Sequence, residues 1–356
     1  MAIAHAISIP TVAVQKRSRV GVRLDYLDAL KVVLTVLVIA HHAGQPYGPT
    51  GGRWPVFDAQ RASLLGPFFS VNAAFFMGLF FLISAYFVPG SFDRKGSAAF
   101  VKDRFVRFGI PFAAVGLTIG VLSGTTFDPA HLWFVAHLLV YAVLYAAWRA
   151  LRLPGVSIAT PGHRAILGYA LVLAGVTAVV RMCGFPQDRW VTVLGFIPVE
   201  VAHLPQYASL FVIGLLAARG GWLTNLPTAT GMVWLAIGVS LSVGRFVYPL
   251  VTGGGPDAML WSVWEPLICV GLCAGLPVVF REFVRVPPRV LQTLAPNAFG
   301  AYVVHVMPVV VGLQFALANV SLDPLVKFGL VTAAGVPLSF LLAFGLRRLP
   351  GIRQVL

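Results

Sequence analysis

With 356 residues, 58% of them hydrophobic and only 11% charged, and a mean hydropathy of +0.86, the chain is too apolar for a soluble globular domain and reads as an all-α, polytopic membrane protein. A net charge of +14 raises nucleic acid as a partner, but no nucleic-acid-binding motif accompanies it and most basic residues flank apolar runs, the pattern of membrane topology. Cys183, Cys269 and Cys273 offer no disulfide framework, and the last two, at i,i+4 in an apolar run, read as packing residues.

Residues 1–21 carry their charges after a weakly apolar stretch, the reverse of a cleavable signal peptide, and are expected to be a flexible cytoplasmic tail. About ten apolar segments follow, near 26–45, 64–88, 105–124, 131–151, 164–183, 198–218, 228–248, 259–280, 297–318 and 324–346. They make one transmembrane domain over 22–348, with a short cytoplasmic tail at 349–356. An even number of spans returns both termini to one side. Assigning the cytoplasm to that side leaves only Arg53, Arg61, Arg181, Arg189, Arg245 and Lys327 outside, a strong positive-inside bias.

The first segment opens on Arg23, Asp25, Asp28 and Lys31, runs without charge to Ala40 and ends on His41 and His42. Lys31 and His42, eleven positions apart, point within roughly 20° of each other on a helix and lie about 16 Å apart along it. An ionisable side chain inside a membrane helix is a functional-site hypothesis by default. The structural alternatives are that Lys31 snorkels to the cytoplasmic interface and that His42 hydrogen-bonds a neighbouring helix.

The loop after the second segment holds Arg94, Lys95, Lys102, Arg104 and Arg107. Arg104 and Arg107, at i,i+3, form a clamp suited to phosphate oxygens, or the loop simply meets anionic lipid. The fourth segment begins with His131 and Trp133, the latter a typical interfacial anchor, with His137 further in. Glu200 and His203 fall near the outer surface, where Glu200 is open to solvation. Glu265 is buried in the eighth segment, protonated or paired with a base; His42 lies at comparable depth and is one possible partner. Tyr302 and His305, at i,i+3 in the ninth segment, either line a channel or pack. No metal-ligand spacing, Gly-x-Ser-x-Gly elbow or glycine-rich phosphate loop occurs, which argues against a serine- or metal-based hydrolase.

The run RLDYLDALKVVLTVLVIAHH resembles the first helix of the acyltransferase 3 family of membrane enzymes, whose signature is a basic residue, ten intervening residues and a His. The family usually has Arg where this chain has Lys31, a cation without the two-pronged guanidinium fork. FFLISAYFVPGSFDRKG and FVKDRFVRFGIPF are similar to its second block, HLWF to its fourth-helix block, and the Tyr302 to His305 motif to one near its C-terminus.

The resemblance implies an integral membrane O-acyltransferase of the plasma (inner) membrane that moves an acyl group, most simply acetyl, from cytoplasmic acyl-CoA to a hydroxyl of a carbohydrate or glycan acceptor on the other side. It implies that Arg104 and Arg107, with Arg94 and Lys95, bind the phosphorylated end of acyl-CoA. His42 is then the base or a transient acyl carrier, supported by Lys31 and His41, and His131, Trp133, Glu265, Tyr302 and His305 line the substrates. Acyl-CoA is a co-substrate and no metal is called for. FFMGLFFLISAYFVPGSFDRKG and WSVWEPLICVGL look closest to the branch that modifies periplasmic glucans, so succinyl transfer is a subsidiary expectation. The rival is a proton-coupled secondary transporter using the same buried groups as a relay, against which the lack of an internal repeat counts. A non-catalytic membrane scaffold is the third reading.

Overall fold

The computed structural model describes residues 24–49, 54–152, 156–284 and 288–356. The predicted tail at 1–21, and Arg23, Arg53 and Arg285 of the charge argument, lie outside the described residues. The protein is 77% helical.

Nine helices among the described residues are long and apolar enough to cross a membrane. They are α1 (Asp25–Ala43), α2 (Leu65–Lys95), α3 (Ser97–Ser123), α4 (Ala130–Ala150) and α5 (His163–Met182), then, after a further shorter helix α6 (Leu204–Gly220), α7 (Thr228–Thr252), α8 (Ala258–Phe283), α9 (Arg289–Leu317) and α10 (Pro324–Leu346). The sixth expected segment is the one outside these nine: its first residues are a strand, and the helix that follows has 17 residues, about 26 Å at 1.5 Å per residue, at the lower end of the lengths that cross a bilayer.

That strand is the second of an antiparallel hairpin, β1 (Trp190–Val193) and β2 (Ile197–Glu200), in which Trp190 pairs with Glu200 and Val193 with Ile197. Val191, Thr192, Val193, Ile197 and Val199 are β-branched and suit a pleated surface. The turn places Leu194 (φ 55°) and Gly195 (φ 79°) in the left-handed region.

The centre of the bundle is α2, whose apolar window is 72% buried, with α1 and α8 at 61% each, whereas α7 at 6% lies on the rim. Leu27, Ile39, Phe81 and Ile268 are fully buried in this core. α7 reaches α8 through glycine: a Cβ on Gly271 would stand 2.7 Å from Gly238 Cα, so only hydrogen fits at that crossing. Asp257 and Asp323 cap α8 and α10, accepting 2.8 Å hydrogen bonds from the backbone N–H of Leu260 and Leu325.

Two helices are locally underwound into wider, π-type turns, α3 at Phe105–Gly109 and α9 at His305–Val310. In α9 Met307 leaves helical geometry altogether (φ −114°, ψ 122°) just before Pro308. Such turns are concentrated at functional sites, and these two start beside Arg104 and at His305.

Candidate active site

The C-terminal end of α1, the start of α4 and the widened turn of α9 converge on three imidazoles. His305 Nε2 lies 2.9 Å from His42 Nδ1, and the His131 ring centroid is 4.8 Å from that of His305 and 6.2 Å from that of His42. Two residues that the sequence reading did not single out complete the setting. Trp54 stacks on His42 with the rings 5.6 Å apart and 14° from parallel, and its indole N–H donates to Gln314 Oε1 at 2.7 Å. Gln314 Nε2 in turn donates to the carbonyls of His42 (2.9 Å) and Ala43 (3.1 Å), two of the acceptors that a helix end leaves unpaired.

Backbone carbonyls set the proton positions. Tyr302 O is 2.6 Å from His305 Nδ1, so that nitrogen carries the hydrogen and the Nε2 of the neutral ring is an acceptor. His42 Nδ1 must then be the donor to His305 Nε2, sharing its hydrogen with Val38 O at 3.1 Å. His42 Nε2 is left with the lone pair, the arrangement a general base requires. His131 Nε2 likewise lies 3.1 Å from both Tyr302 O and Val303 O, and the Tyr302 hydroxyl donates to His131 O. Tyr302 therefore organises two of the three histidines.

His41 points elsewhere, its ring centroid 5.0 Å from Phe69 and 5.2 Å from Phe76. Among the described residues its buried Nδ1 has no hydrogen-bond partner.

At the opposite end of α1 lie two adjoining cavities, of about 380 and 800 Å³. Arg94, Lys95, Arg104 and Arg107 all line the smaller one, which runs past Phe80, Phe134 and Leu138 to Tyr302. Arg104 is held between the rings of Phe100 (4.8 Å) and Phe108 (5.5 Å) and donates to Ser91 Oγ at 3.0 Å. Lys95 pairs with Asp103 at 2.6 Å. Lys31, grouped with His42 by helical face in the sequence, is grouped with the basic cavities by the structure: it lines both and pairs with Asp28 at 2.7 Å. The smaller cavity thus joins a cationic mouth to the residue that holds the histidines.

Glu265 does not meet His42. Arg181 donates to Glu265 Oε2, His203 Nε2 is 2.7 Å from Glu265 Oε1, and Gln187 Nε2 adds a 3.3 Å bond. His203 Nδ1 lies 2.7 Å from Glu200 Oε2. Glu200 is buried at 6% exposure rather than solvated, and it also accepts from the Asp188 backbone N–H at 2.9 Å. Burial opposes a charge on His203, but the flanking Glu200 and Glu265 outweigh it and raise the imidazole well above its ordinary pKa, so His203 is an imidazolium. Trp133 belongs to this region too, stacking on Tyr207 (5.2 Å) and meeting Trp190 (5.4 Å). Within the apolar run of α9, Gln314 was a legible signal of a buried polar role; Trp54, in a loop, carried none.

A bundle of membrane-length helices thus holds a fixed-tautomer imidazole pair beyond a cationic cavity, a candidate base and an anion-binding mouth in one chain. The chain belongs to the acyltransferase 3 family: the family's model, an acyltransferase domain, matches residues 24–344, nearly the whole chain. It is therefore a membrane-embedded acyltransferase. No curated protein and no solved structure matches it.

Proposed function

We propose that the protein is an O-acyltransferase of the plasma membrane, with both termini cytoplasmic, that moves an acetyl group from cytoplasmic acetyl-CoA to a hydroxyl of a carbohydrate-type acceptor at the outer side. The observation that carries this reading is the cavity that begins among Arg94, Lys95, Arg104 and Arg107 and ends against Tyr302, whose carbonyl holds His305. The positive-inside bias supports the orientation, and the likeness to glucan-modifying members supports the acceptor class.

The phosphates of the donor bind the basic mouth, and the slender thiol-ended arm extends along the apolar walls toward the histidines. The acceptor hydroxyl approaches His42 from the Trp54 side. As its oxygen attacks the thioester carbonyl, the C–O bond forms and the hydroxyl proton passes to His42 Nε2. The C–S bond then breaks, and the proton is returned to the departing thiolate. His305 accepts from His42 Nδ1–H throughout, which keeps Nε2 aimed at the substrate and supports the imidazolium that forms. His131 lines the donor side of the pair.

The test is turnover of labelled acetyl-CoA by membranes containing wild type, His42→Ala, and Arg104→Ala with Arg107→Ala. The His42 change is expected to lower transfer about 10²–10⁴-fold, and the paired arginine change to raise KM for the donor. Transfer that survives His42→Ala would refute His42 as base. Coupled proton and solute movement without acyl transfer would favour a transporter.

A further inference from the structure

The apolar residues leading to Tyr302 line the smaller inner cavity, whereas the larger one, of about 800 Å³, shares Lys31, Asp103 and Arg107 with it. Its walls bring the last residues of the chain against the start of α3: Arg347 and Arg353 face Lys102 and Arg107, with Lys31 between the two cavities. Two acidic side chains, Asp28 and Asp103, line it as well, and each is already paired with a lysine, at 2.7 Å and 2.6 Å. Among the described residues no carboxylate pairs with Lys102, Arg107, Arg347 or Arg353. Arg347 is anchored through one guanidinium nitrogen, which donates to Pro296 O and to Asn297 Oδ1 at 3.1 Å, so its position is fixed before any ligand arrives. Burial, and then the neighbouring guanidiniums of Arg353 and Arg107, push Arg347 below its ordinary pKa, as expected for cations gathered without a counter-charge.

We propose that this compartment is a second anion site, sharing Arg107 with the arginine pair but built otherwise from Lys102, Arg347 and Arg353, and that it takes a terminal phosphomonoester of the donor, the 3′-phosphate of coenzyme A. This deepens the acyl-CoA reading and rests on it. Coenzyme A carries its anionic groups in two places, a pyrophosphate in line with the thiol arm and a phosphomonoester on the ribose. The two cavities offer a matching division. Arg104 and the smaller cavity serve the in-line pyrophosphate, Arg347 and Arg353 serve the phosphomonoester, and Arg107 and Lys31 line both compartments. A guanidinium fork suits a phosphate with three free oxygens.

The experiment compares KM for acetyl-CoA and for acetyl-dephospho-CoA, which lacks only the 3′-phosphate, in wild type, Arg353→Gln and Arg347→Gln with Arg353→Gln. Wild type is expected to prefer acetyl-CoA by about tenfold or more, as for loss of charge-assisted hydrogen bonds. The variants are expected to lose that preference by weakening acetyl-CoA alone. Because Arg353 is exposed, its single change leaves folding intact, and a ratio of KM values is independent of the amount of folded enzyme. An unchanged preference, or equal weakening of both donors, overturns the proposal. The same assay in phosphatidylcholine vesicles with and without phosphatidylglycerol separates the other source of phosphate: an arginine effect that follows the anionic lipid and not the donor assigns the compartment to a lipid headgroup and also overturns it. If wild type consumes neither donor, the acyl-CoA reading fails first, and this inference fails with it.

Discussion

Two buried clusters in this protein are built around histidine, and their partners give them opposite characters. In the first, His42, His305 and His131 face one another and backbone carbonyls, with no carboxylate in contact among the described residues. Each ring can be satisfied while neutral, and the relay from Tyr302 O leaves a lone pair on His42. In the second, His203 is gripped by Glu200 and Glu265, and Arg181 balances the remaining charge. That imidazole has no lone pair to offer and acts as a rivet between the hairpin, α6 and α8. Burial alone does not make a histidine catalytic; what its neighbours demand of its two nitrogens decides.

The largest test of the contrast removes the acid from the ionic cluster. Glu265→Ala leaves Arg181 and His203 facing an absent partner, and breaking a buried pair in this way costs about 3–5 kcal/mol. Thermal unfolding of the purified protein should show a marked fall in Tm, while the remaining folded enzyme keeps its kcat. An unchanged Tm would mean that the cluster is not a structural rivet. Next in size, His305→Ala removes the acceptor for His42 Nδ1–H. Loss of the partner that orients a metal-bound histidine costs about 10–100-fold in activity; a fall of that order is expected here in kcat, with KM for the donor and Tm little altered. A change confined to KM would assign His305 to substrate lining instead. The smallest effect is expected from Trp54→Phe, which keeps an aromatic ring over His42 but cannot donate to Gln314. One hydrogen bond is worth about 0.5–1.5 kcal/mol, so kcat/KM for the acceptor should fall several-fold, as steady-state rates at varied acceptor would reveal.

Much of this was legible in the chain. Hydropathy over about twenty residues marks most spans because a bilayer imposes one length on all of them. His42, Tyr302 and His305 stood out because polar groups within such spans are rare. The sixth segment misled because hydropathy cannot distinguish a β-branched strand from the helix that follows it. Glu265 was read correctly as buried, and either protonated or paired with a base; which base depends on which helices touch. That information is held in side-chain packing between α5, α6 and α8 and not in the spacing along any one of them. Lys31 shows the same limit from the other side: a shared helical face reports direction, whereas depth along the helix decided its company.

The widened turn of α3 has a further consequence. It takes up one residue more than regular α-helical winding would use over the same rotation. Winding the same residues as regular α-helix would turn everything beyond Phe105–Gly109 by about 100°. That would swing the lipid-facing and bundle-facing sides of the remaining span out of place relative to Arg104, so the phase of this helix, and not its hydropathy alone, is part of the site.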